Sequence, residues 1–449
     1  MNILKTITKL PPRRKTVRAS RAQAVNIPIL RGKTPEPMIR LEPKDRFLDM
    51  MEREQLPSDV KSTLQGALTG DLHRQGLLFD SMLDSWYRLQ SNIDEVQTKV
   101  SKAPLTVLPF TQDGAEPSAK AVEKAQFVQK LLHGMKANPV TGEQGLEGLI
   151  RDIALGYYTG HAVSEIYWQK GENFTPHSNK NIPWRFIAYP STSETQDRLM
   201  LAPEGHYGQD LVDFPEHKFV IAVKRGHGGH ATQSAPLRVL TSYWLAATYG
   251  LKWLLGFAQI YGIPLRMANY ADGSGNLQKV CEMLDNMGSQ SWGAFPEGTK
   301  IDVVDAAKSA GDLPQKLLLE NADKACDIFI LGQTLTTDVG SSGSRALGDV
   351  HADVRMDKLQ AVADFVAEAI STQLVESIVQ LNYGNTDDLP TVKIEFPRPK
   401  DEKSMVERDR ILHMDMGVPI ALDDLYERHG IKRPEQGAEL FSMGVESRE

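Results

Sequence analysis

Cysteine is scarce in this sequence, which contains two, Cys281 and Cys326, among 449 residues. No stretch has the pattern of a secretory signal peptide. Together these absences exclude a small scaffold held by disulfides and favour the reducing cytoplasm as compartment. Because Cys326 falls in an amphipathic helical pattern, we expect it to be a buried apolar side chain rather than a nucleophile.

Signatures of the common enzyme classes are missing as well. The sequence contains no H-E-x-x-H, G-x-S-x-G or Walker motif. The glycine- and serine-rich stretch at residues 331–354 has no Gly-Lys-Ser or Gly-Lys-Thr after its glycines, so it is not a P-loop. We therefore predict no catalytic residue, no cofactor and no enzyme activity.

A few polar side chains could still form a site. His227 and His230 stand three residues apart, a spacing at which two imidazoles can share a metal ion, but no third ligand lies nearby in the sequence. A glycine-rich turn with exposed histidines is the simpler interpretation, and we predict no metal ion. The acidic pairs at 387–388 and 423–424 are typical of a turn and a helix start rather than of catalytic acids.

An excess of positive charge is also lacking. The chain has 51 Lys and Arg against 58 Asp and Glu, a formal net charge of −7. This balance argues against a nucleic-acid binder with a general basic coat. It remains compatible with a channel through which DNA slides, because strong phosphate contacts would act there as a brake. The local exception is residues 1–45, a basic arm with no acid before Glu36, which is solvated or contacts nucleic acid or an acidic neighbouring subunit.

Uninterrupted apolar runs are absent too. The most apolar long segment, Leu237 to Tyr261, contains Arg238, Lys252 and scattered Ser, Thr and Gln. A buried helix, or one packed within a ring, is favoured over a membrane span. We predict no membrane association, and a pore that uses this segment as its span is the alternative.

The first half of the chain has a mixed pattern of helices and strands, which predicts an α+β domain over residues 60–230. Apolar residues at helical spacing predict helices over 71–102, 118–135 and 145–158. Alternating patterns predict strands at 104–110, 161–168 and 184–190, and in the segments DRLMLAP and HKFVIAVKR.

Long helices dominate the second half. Helical spacing predicts helices over 236–261, 313–335 and 350–382. A small insert with strands at 264–269 and 300–304 and a helix at 277–287 separates the first two. The chain closes with a strand at 391–396 and helices at 400–416 and 422–429.

Two motifs carry a family resemblance. YGIPLRM, at the end of the first long helix, and LGQTLTTDVGSSGSRALGDVH, before the third, resemble the Mu-type portal proteins of tailed bacteriophages. The resemblance covers roughly residues 45–435 and implies an α+β, portal-like architecture. Its parts are an N-terminal arm (1–45), an α/β wing (46–235), a stem helix (236–261), a small α/β clip (262–310), a second stem helix (311–335), a tunnel loop (336–349), a long helix and strand that rejoin the wing (350–396), and a helical C-terminal crown (397–449).

The resemblance also implies a function. Portal proteins of this kind form a homo-oligomeric ring of about twelve copies at one capsid vertex. The ring is the channel for genome packaging and ejection, through which double-stranded DNA passes without sequence specificity. The implied partners are the terminase large subunit, which supplies ATP hydrolysis, the major capsid protein and the head-tail connector proteins. The implied location is the virion, after assembly in the host cytoplasm.

Site residues follow from the same resemblance. A loop that faces moving DNA should be small, flexible and weakly charged, which fits Thr336, Thr337, Asp338, Ser341, Ser342, Gly343, Ser344 and Arg345. Arg345 either touches a phosphate transiently or pairs with Asp338 or Asp349. Aromatic side chains of the first long helix are expected to pack between subunits: Trp244, Tyr249, Trp253 and Phe257.

One alternative belongs to a different functional class. A soluble hydrolase or transferase would have its site near Asp210, His227 and His230. Loss of a catalytic activity on mutation of these histidines would favour it.

Overall fold

The structure is a computed structural model with helices and strands intermixed along the chain. It describes residues 57–112, 115–190, 197–205, 211–226, 230–261, 265–268, 301–304, 313–333, 345–396 and 402–434. The chain divides into two compact units, residues 1–396 and 397–449.

The first unit begins with helices and continues with short strands. The helices are α1 (Pro57–Ala67), α2 (Leu72–Ser85), α3 (Tyr87–Lys102), α4 (Ala119–His133) and α5 (Leu146–Thr159). The strands are β1 (Leu105–Leu108), β2 (His161–Lys170), β3 (Phe174–Asn181), β4 (Ile187–Ala188), β5 (Met200–Leu201) and β6 (Phe219–Val223).

Long helices follow, and a short helical unit ends the described chain. The first unit continues with α6 (Leu237–Tyr261), β7 (Leu265–Ala268), β8 (Ile301–Val304), α7 (Pro314–Leu331), α8 (Arg345–Ala369), a π-helical turn (Ile370–Val375), α9 (Glu376–Tyr383) and β9 (Thr391–Ile394). The second unit contains α10 (Glu402–Arg410), a π-helical turn (Ile411–Asp415) and α11 (Leu422–Arg428).

Most of the predicted elements are confirmed within a few residues. They include α4, α5 and α6, strands β1, β2, β6 and β9, and the pair β7 and β8 in the small insert. The stretch 184–190, predicted as a strand, instead combines a 3-10 turn at Trp184–Phe186 with the two-residue strand β4. The helix predicted at 277–287 lies outside the described residues.

The prediction of one helix over 71–102 is wrong, because the chain breaks at Trp86. This residue has an extended backbone, with φ −109° and ψ 93°, between α2 and α3. Its indole is buried, and Nε1 donates to Asp323 Oδ1 of α7 at 2.8 Å. A contact that is distant in the sequence therefore accompanies the break.

Strand β3 was not predicted, and its residues explain why. Its sequence, FTPHSNKN, is polar and contains Pro176, which lies where the pairing with β2 shifts register between Tyr167 and Trp168. Proline cannot donate to a strand ladder and is confined to edges and bulges. The strand exists because β2 lies beside it, not because of its own propensity.

The main sheet has the strand order β3-β2-β6 and is antiparallel throughout. Its central strand β2 is buried on both faces over His161–Trp168. Even Glu165 is buried, where it forms an ion pair with Lys218 at 3.1 Å. A second sheet pairs β1 with β9, so the strand at 391–394 returns to the beginning of the fold.

The helical stretch from Arg345 to Tyr383 closes the edges of these sheets with amide side chains. Gln373, in the π-helical turn, accepts from the Ile221 N–H of β6 at 2.8 Å and donates to the Ile221 carbonyl. Asn382 of α9 does the same at the opposite edge, accepting from the Phe174 N–H at 2.8 Å and donating to the Phe174 carbonyl at 3.0 Å. Each amide takes the place of a further strand at an edge that would otherwise leave peptide groups unpaired.

A smaller apolar cluster contains a chain of polar rings. His161 Nε2 lies 2.9 Å from the Tyr189 hydroxyl, and the Tyr189 ring meets the His230 ring edge-on with centroids 4.5 Å apart. His161 is 2% exposed. Burial lowers the pKa of His161 to about 3, and the electrostatic effects of His230 and Arg225 act in the same direction. His161 is therefore a neutral core histidine.

In the second unit, a polar contact joins α11 to α10. The Asp409 carboxylate accepts from Arg428 Nη1 at 2.7 Å and lies 3.0 Å from His429 Nε2. Burial opposes ionisation of Asp409, but the bond to His429 and the charge of Arg428 outweigh it and hold its pKa below the usual range. Asp423 and Asp424 lie in the first turn of α11, which confirms their interpretation as helix-start carboxylates.

Replacing Gln373 should destabilise the main sheet at its β6 edge. Gln373→Leu leaves the N–H and the carbonyl of Ile221 without their partners, which costs about 1–3 kcal/mol. We expect a lower Tm in scanning calorimetry. Gln380→Leu is the matched control, because Gln380 is an exposed glutamine on the same helical stretch. Equal Tm values for the two variants would contradict the role of Gln373.

His161 should make stability fall in acid. The unfolded chain binds a proton at this residue below about pH 6.5, whereas the folded chain resists protonation until about pH 3. Stability is therefore lost as the pH falls through this window. In His161→Gln, we expect the decline of Tm between pH 7 and pH 4.5 to be shallower than in the unmodified chain. His133→Gln, at an exposed site, should leave the slope unchanged, and an unchanged slope in His161→Gln would refute the assignment.

Candidate functional site: the paired long helices

Helix α6 buries one face of its first half, whereas its second half is largely exposed. Pro236 precedes it, where a missing N–H costs nothing. Leu237, Leu240 and Trp244 are at most 4% exposed and belong to the main core. Beyond them, Leu251, Trp253 and Leu255 are 51%, 54% and 57% exposed. The second half of α6 thus carries large apolar side chains that the described part of the protomer leaves about half exposed.

Helix α7 packs along α6, and it too carries both buried and exposed apolar side chains. A Cβ added at Gly250 of α6 would lie 3.5 Å from side-chain atoms of Leu318 and Leu319, so the helices are in close contact there. On α7, Cys326 and Ile330 are fully buried, whereas Leu317 and Ile328 are 51% and 56% exposed. Val239 and Tyr243, in the first half of α6, are also exposed. We call the exposed apolar side chains of α7 and of the second half of α6 the uncovered stem side chains: Leu251, Trp253, Leu255, Leu317 and Ile328.

The aromatic residues predicted to pack between subunits separate into different environments. Trp244 is 4% exposed, and its indole donates to Ser85 Oγ of α2 at 2.8 Å. It packs inside the protomer, so its assignment to subunit packing is corrected. The rings of Tyr249 and Trp253 lie 5.7 Å apart, and Trp253 faces outward. The side chain of Phe257 lies outside the described residues.

The end of α7 lies against α8. Gly332 ends α7 with φ +77°, and a Cβ there would come within 2.8 Å of Val354 Cγ1. Both the left-handed backbone and the close approach require glycine. The helix predicted over 313–335 therefore stops at Leu331.

Part of the predicted loop is helical. Helix α8 begins at Arg345, not at residue 350, so the assignment of Arg345 to the loop is corrected. The five residues that were expected to end the loop instead form the first turns of α8. The other predicted loop residues lie outside the described residues, as does the Arg345 side chain: Thr336, Thr337, Asp338, Ser341, Ser342, Gly343 and Ser344.

Cys326 is a core residue, as predicted. It is fully buried, and burial raises the pKa of its thiol to about 12, although a bond from Asn92 acts in the opposite direction. A thiol with such a pKa is not a nucleophile near neutral pH.

The residues of the enzyme alternative show no catalytic arrangement where they are described. His230 Nδ1 lies 2.9 Å from Thr232 Oγ1, and its ring packs on Tyr189. Asp210 and His227 lie outside the described residues. Within the described part of the chain, no group of three His, Cys, Asp or Glu side chains could hold a metal ion. Asp388 has φ +52°, which suits the turn predicted there.

In the ranges that the structure describes, every helix is too short or too polar to span a bilayer.

Sequence reasoning missed a set of polar contacts between α3 and α7. Arg88 and Asn92 of α3 both donate to the buried carboxylate of Asp327. The available signal was a charged residue, Asp327, between Cys326 and Ile328 on a helix whose other inward positions are apolar. Its partners could not be identified, because they lie more than 230 positions away in the sequence.

Two curated relatives share sequence with the chain. The portal protein of Escherichia phage Mu is 25% identical over 394 residues, which are 86% of this chain and 73% of the relative. The Mu-like prophage FluMu protein gp29 of Haemophilus influenzae is 24% identical over 356 residues, which are 77% of this chain and 64% of that relative.

Solved structures share the fold. A chain from the neck of an empty GTA particle, computed with C6 symmetry, has a TM-score of 0.53 at 14% identity and covers 87% of this chain and 99% of its own. A chain from the neck of a native GTA particle, computed with C12 symmetry, has a TM-score of 0.51 at 13% identity and covers 84% and 95%. The sequence profile described as portal protein of Mu bacteriophage matches residues 77–431. The chain therefore belongs to the Mu portal protein family.

Proposed function

We propose that this chain is the subunit of a ring that forms the DNA channel at one vertex of a phage capsid. The observation that carries this proposal is the family match over residues 77–431, which spans nearly all of the described elements. The role is structural and non-enzymatic. The ring would pass DNA during packaging and ejection and would dock the packaging motor and the head-tail connector.

The uncovered stem side chains support a ring. Large apolar side chains exposed together on a protomer mark contact surfaces with other proteins. In a closed ring every subunit presents one surface to the next subunit and a different surface to the previous one. The symmetric necks that share this fold, with C6 and C12 symmetry, support such an assembly, and we propose about twelve copies.

The parts of the ring follow the fold. We assign residues 46–235 to the wing, α6 and α7 to the stem, and the insert that contains β7 and β8 to the clip. The segment between α7 and α8 would be the tunnel loop, shortened at its end by the early start of α8. Residues 397–449 would form the crown.

Contact with DNA in this channel would be weak, because the proposed tunnel loop contains few charged residues. Seven of the eight residues first assigned to the tunnel loop precede Arg345, and they include one charged residue, Asp338. Few cations at the bore release few counterions, so the duplex can slide. Since the sequence has no Walker motif, ATP hydrolysis would come from the terminase large subunit. The major capsid protein and connector proteins would be the other partners, in the virion and earlier in the host cytoplasm.

Charging the uncovered stem side chains should block the ring. In Leu251→Glu and Trp253→Glu, a carboxylate would have to be buried against the neighbouring subunit, which is costly without a partner. We expect the unmodified chain to form a large ring, and both variants to remain small while their circular dichroism is unchanged. Light scattering coupled to gel filtration measures the mass.

Val140→Glu is the control for this experiment. Val140 is 94% exposed on a loop far along the sequence from the stem helices, so the same kind of change should leave the ring intact. If Leu251→Glu and Trp253→Glu assemble as well as Val140→Glu does, the stem does not form the subunit interface.

A further inference from the structure

The two helices that flank residues 334–344, α7 and α8, are in contact with each other. Gly332, at the end of α7, contacts Val354 and lies close to Lys358 of α8. Val354 is nine positions after Arg345, so about 13 Å of α8 lies between its first residue and this contact. The chain therefore leaves and re-enters the described fold on two helices that touch each other.

The end of α7 is also tied to α3. The Asp323 carboxylate accepts from Trp86 Nε1 at 2.8 Å and from the Tyr87 hydroxyl at 3.0 Å. One turn later, Asp327 accepts from Arg88 Nε at 2.6 Å and from Asn92 Nδ2 at 2.8 Å.

The contact of Asp327 with α3 is costly to break, because the carboxylate is buried. Asp327 is 3% exposed, and its hydrogen bond raises the pKa of Arg88. A buried carboxylate that lost these donors would be left without compensation. The end of α7 thus cannot leave α3 without exposing or stranding a charge.

Helix α8 is tied to the same helix, about three turns after its first residue. Arg355, one position after Val354, forms an ion pair with Glu95 of α3, and their side chains are 17% and 30% exposed. Lys99 also binds Glu95, at 3.0 Å. On α3, the residues Arg88, Asn92 and Glu95 follow one another at spacings of four and three, which places them on one helical face.

We propose that this face of α3, defined by Arg88, Asn92 and Glu95, couples α7 and α8 so that both flanks of residues 334–344 move as one body with α3. The three residues are positioning residues. Since α3 is itself bound to α5 through Asp94 and Arg151, at 2.6 Å, a displacement of either flank would be transmitted to the helix that packs on the main sheet. The coupling stands on these contacts alone, and only its significance for passing DNA rests on the proposed portal function.

Hydrogen exchange tests the coupling in the full-length chain. Glu95→Gln cuts the anchor of α8 without touching α7. We expect amide exchange, measured by mass spectrometry, to rise about fivefold or more in residues 345–358 and also in residues 323–333. Asp94→Asn is the matched control, because it breaks the ion pair of the preceding residue of α3 with α5, and exchange in both flanks should stay as in the unmodified chain.

Reversing the Glu95–Arg355 ion pair distinguishes loss of the coupling from general destabilisation of the fold. Glu95→Arg combined with Arg355→Glu should restore slow exchange in both flanks, whereas Glu95→Arg alone should not. Faster exchange confined to 345–358, or no rescue by the reversed pair, would overturn the coupling.

Light scattering on the same samples separates the two proposals. Coupled exchange in an unmodified chain that forms no ring would contradict the portal function and leave the coupling intact. A ring without coupled exchange would contradict the coupling alone.

Discussion

Peptide groups at the edges of short sheets must find partners, and in this fold one helical stretch supplies them. The main sheet has three strands and the sheet of β1 and β9 has two, so most strands have an open edge. Gln373 and Asn382 close the two edges of the main sheet. Gln360 donates to the Ile394 carbonyl at 2.8 Å, and Ser371 accepts from the Val392 N–H at 2.8 Å, which closes the outer edge of β9. The stretch from Arg345 to Tyr383 therefore fixes both sheets.

The same helical stretch begins where the proposed tunnel loop ends. This stretch is hydrogen-bonded to two sheets along its length, so its position is fixed. Because Gly332 contacts Val354 of α8, the end of α7 packs against an element whose position is fixed. The stem helices differ from it in one respect. Their distal apolar side chains, such as Leu251 and Trp253, remain about half exposed on the protomer, which suits the proposed packing against other subunits. Exposed apolar surface of this kind is what the proposed ring requires of its subunits.

The local sequence pattern was sufficient to predict the helices and strands that do not depend on contacts with distant residues. Helix α6 could be predicted to its ends because Pro236 starts it and apolar residues keep helical spacing up to Tyr261. Central strand β2 was predicted from the alternating pattern over residues 161–168. The family resemblance, carried by two motifs, was confirmed by the match over residues 77–431.

Contacts between distant residues decided the rest. The break at Trp86 accompanies a bond to Asp323, 237 positions away, whereas the apolar spacing continues across it. Strand β3 depends on β2 and on Asn382 rather than on its own polar sequence. Trp244 was assigned to a subunit contact because an aromatic side chain on a long helix suits one, but Ser85 and the main core enclose it. The first residues of α8 resemble a loop in composition, yet they continue a helix.

The measurement that tests the central claim most directly is a cryo-electron microscopy reconstruction of the purified full-length chain at side-chain resolution. The portal function predicts a closed ring with an open bore in which α6 and α7 of one subunit pack against the next, and in which Leu251 and Trp253 are covered by neighbouring subunits. A particle without a central opening, or a ring in which these two side chains remain exposed to solvent, would contradict it.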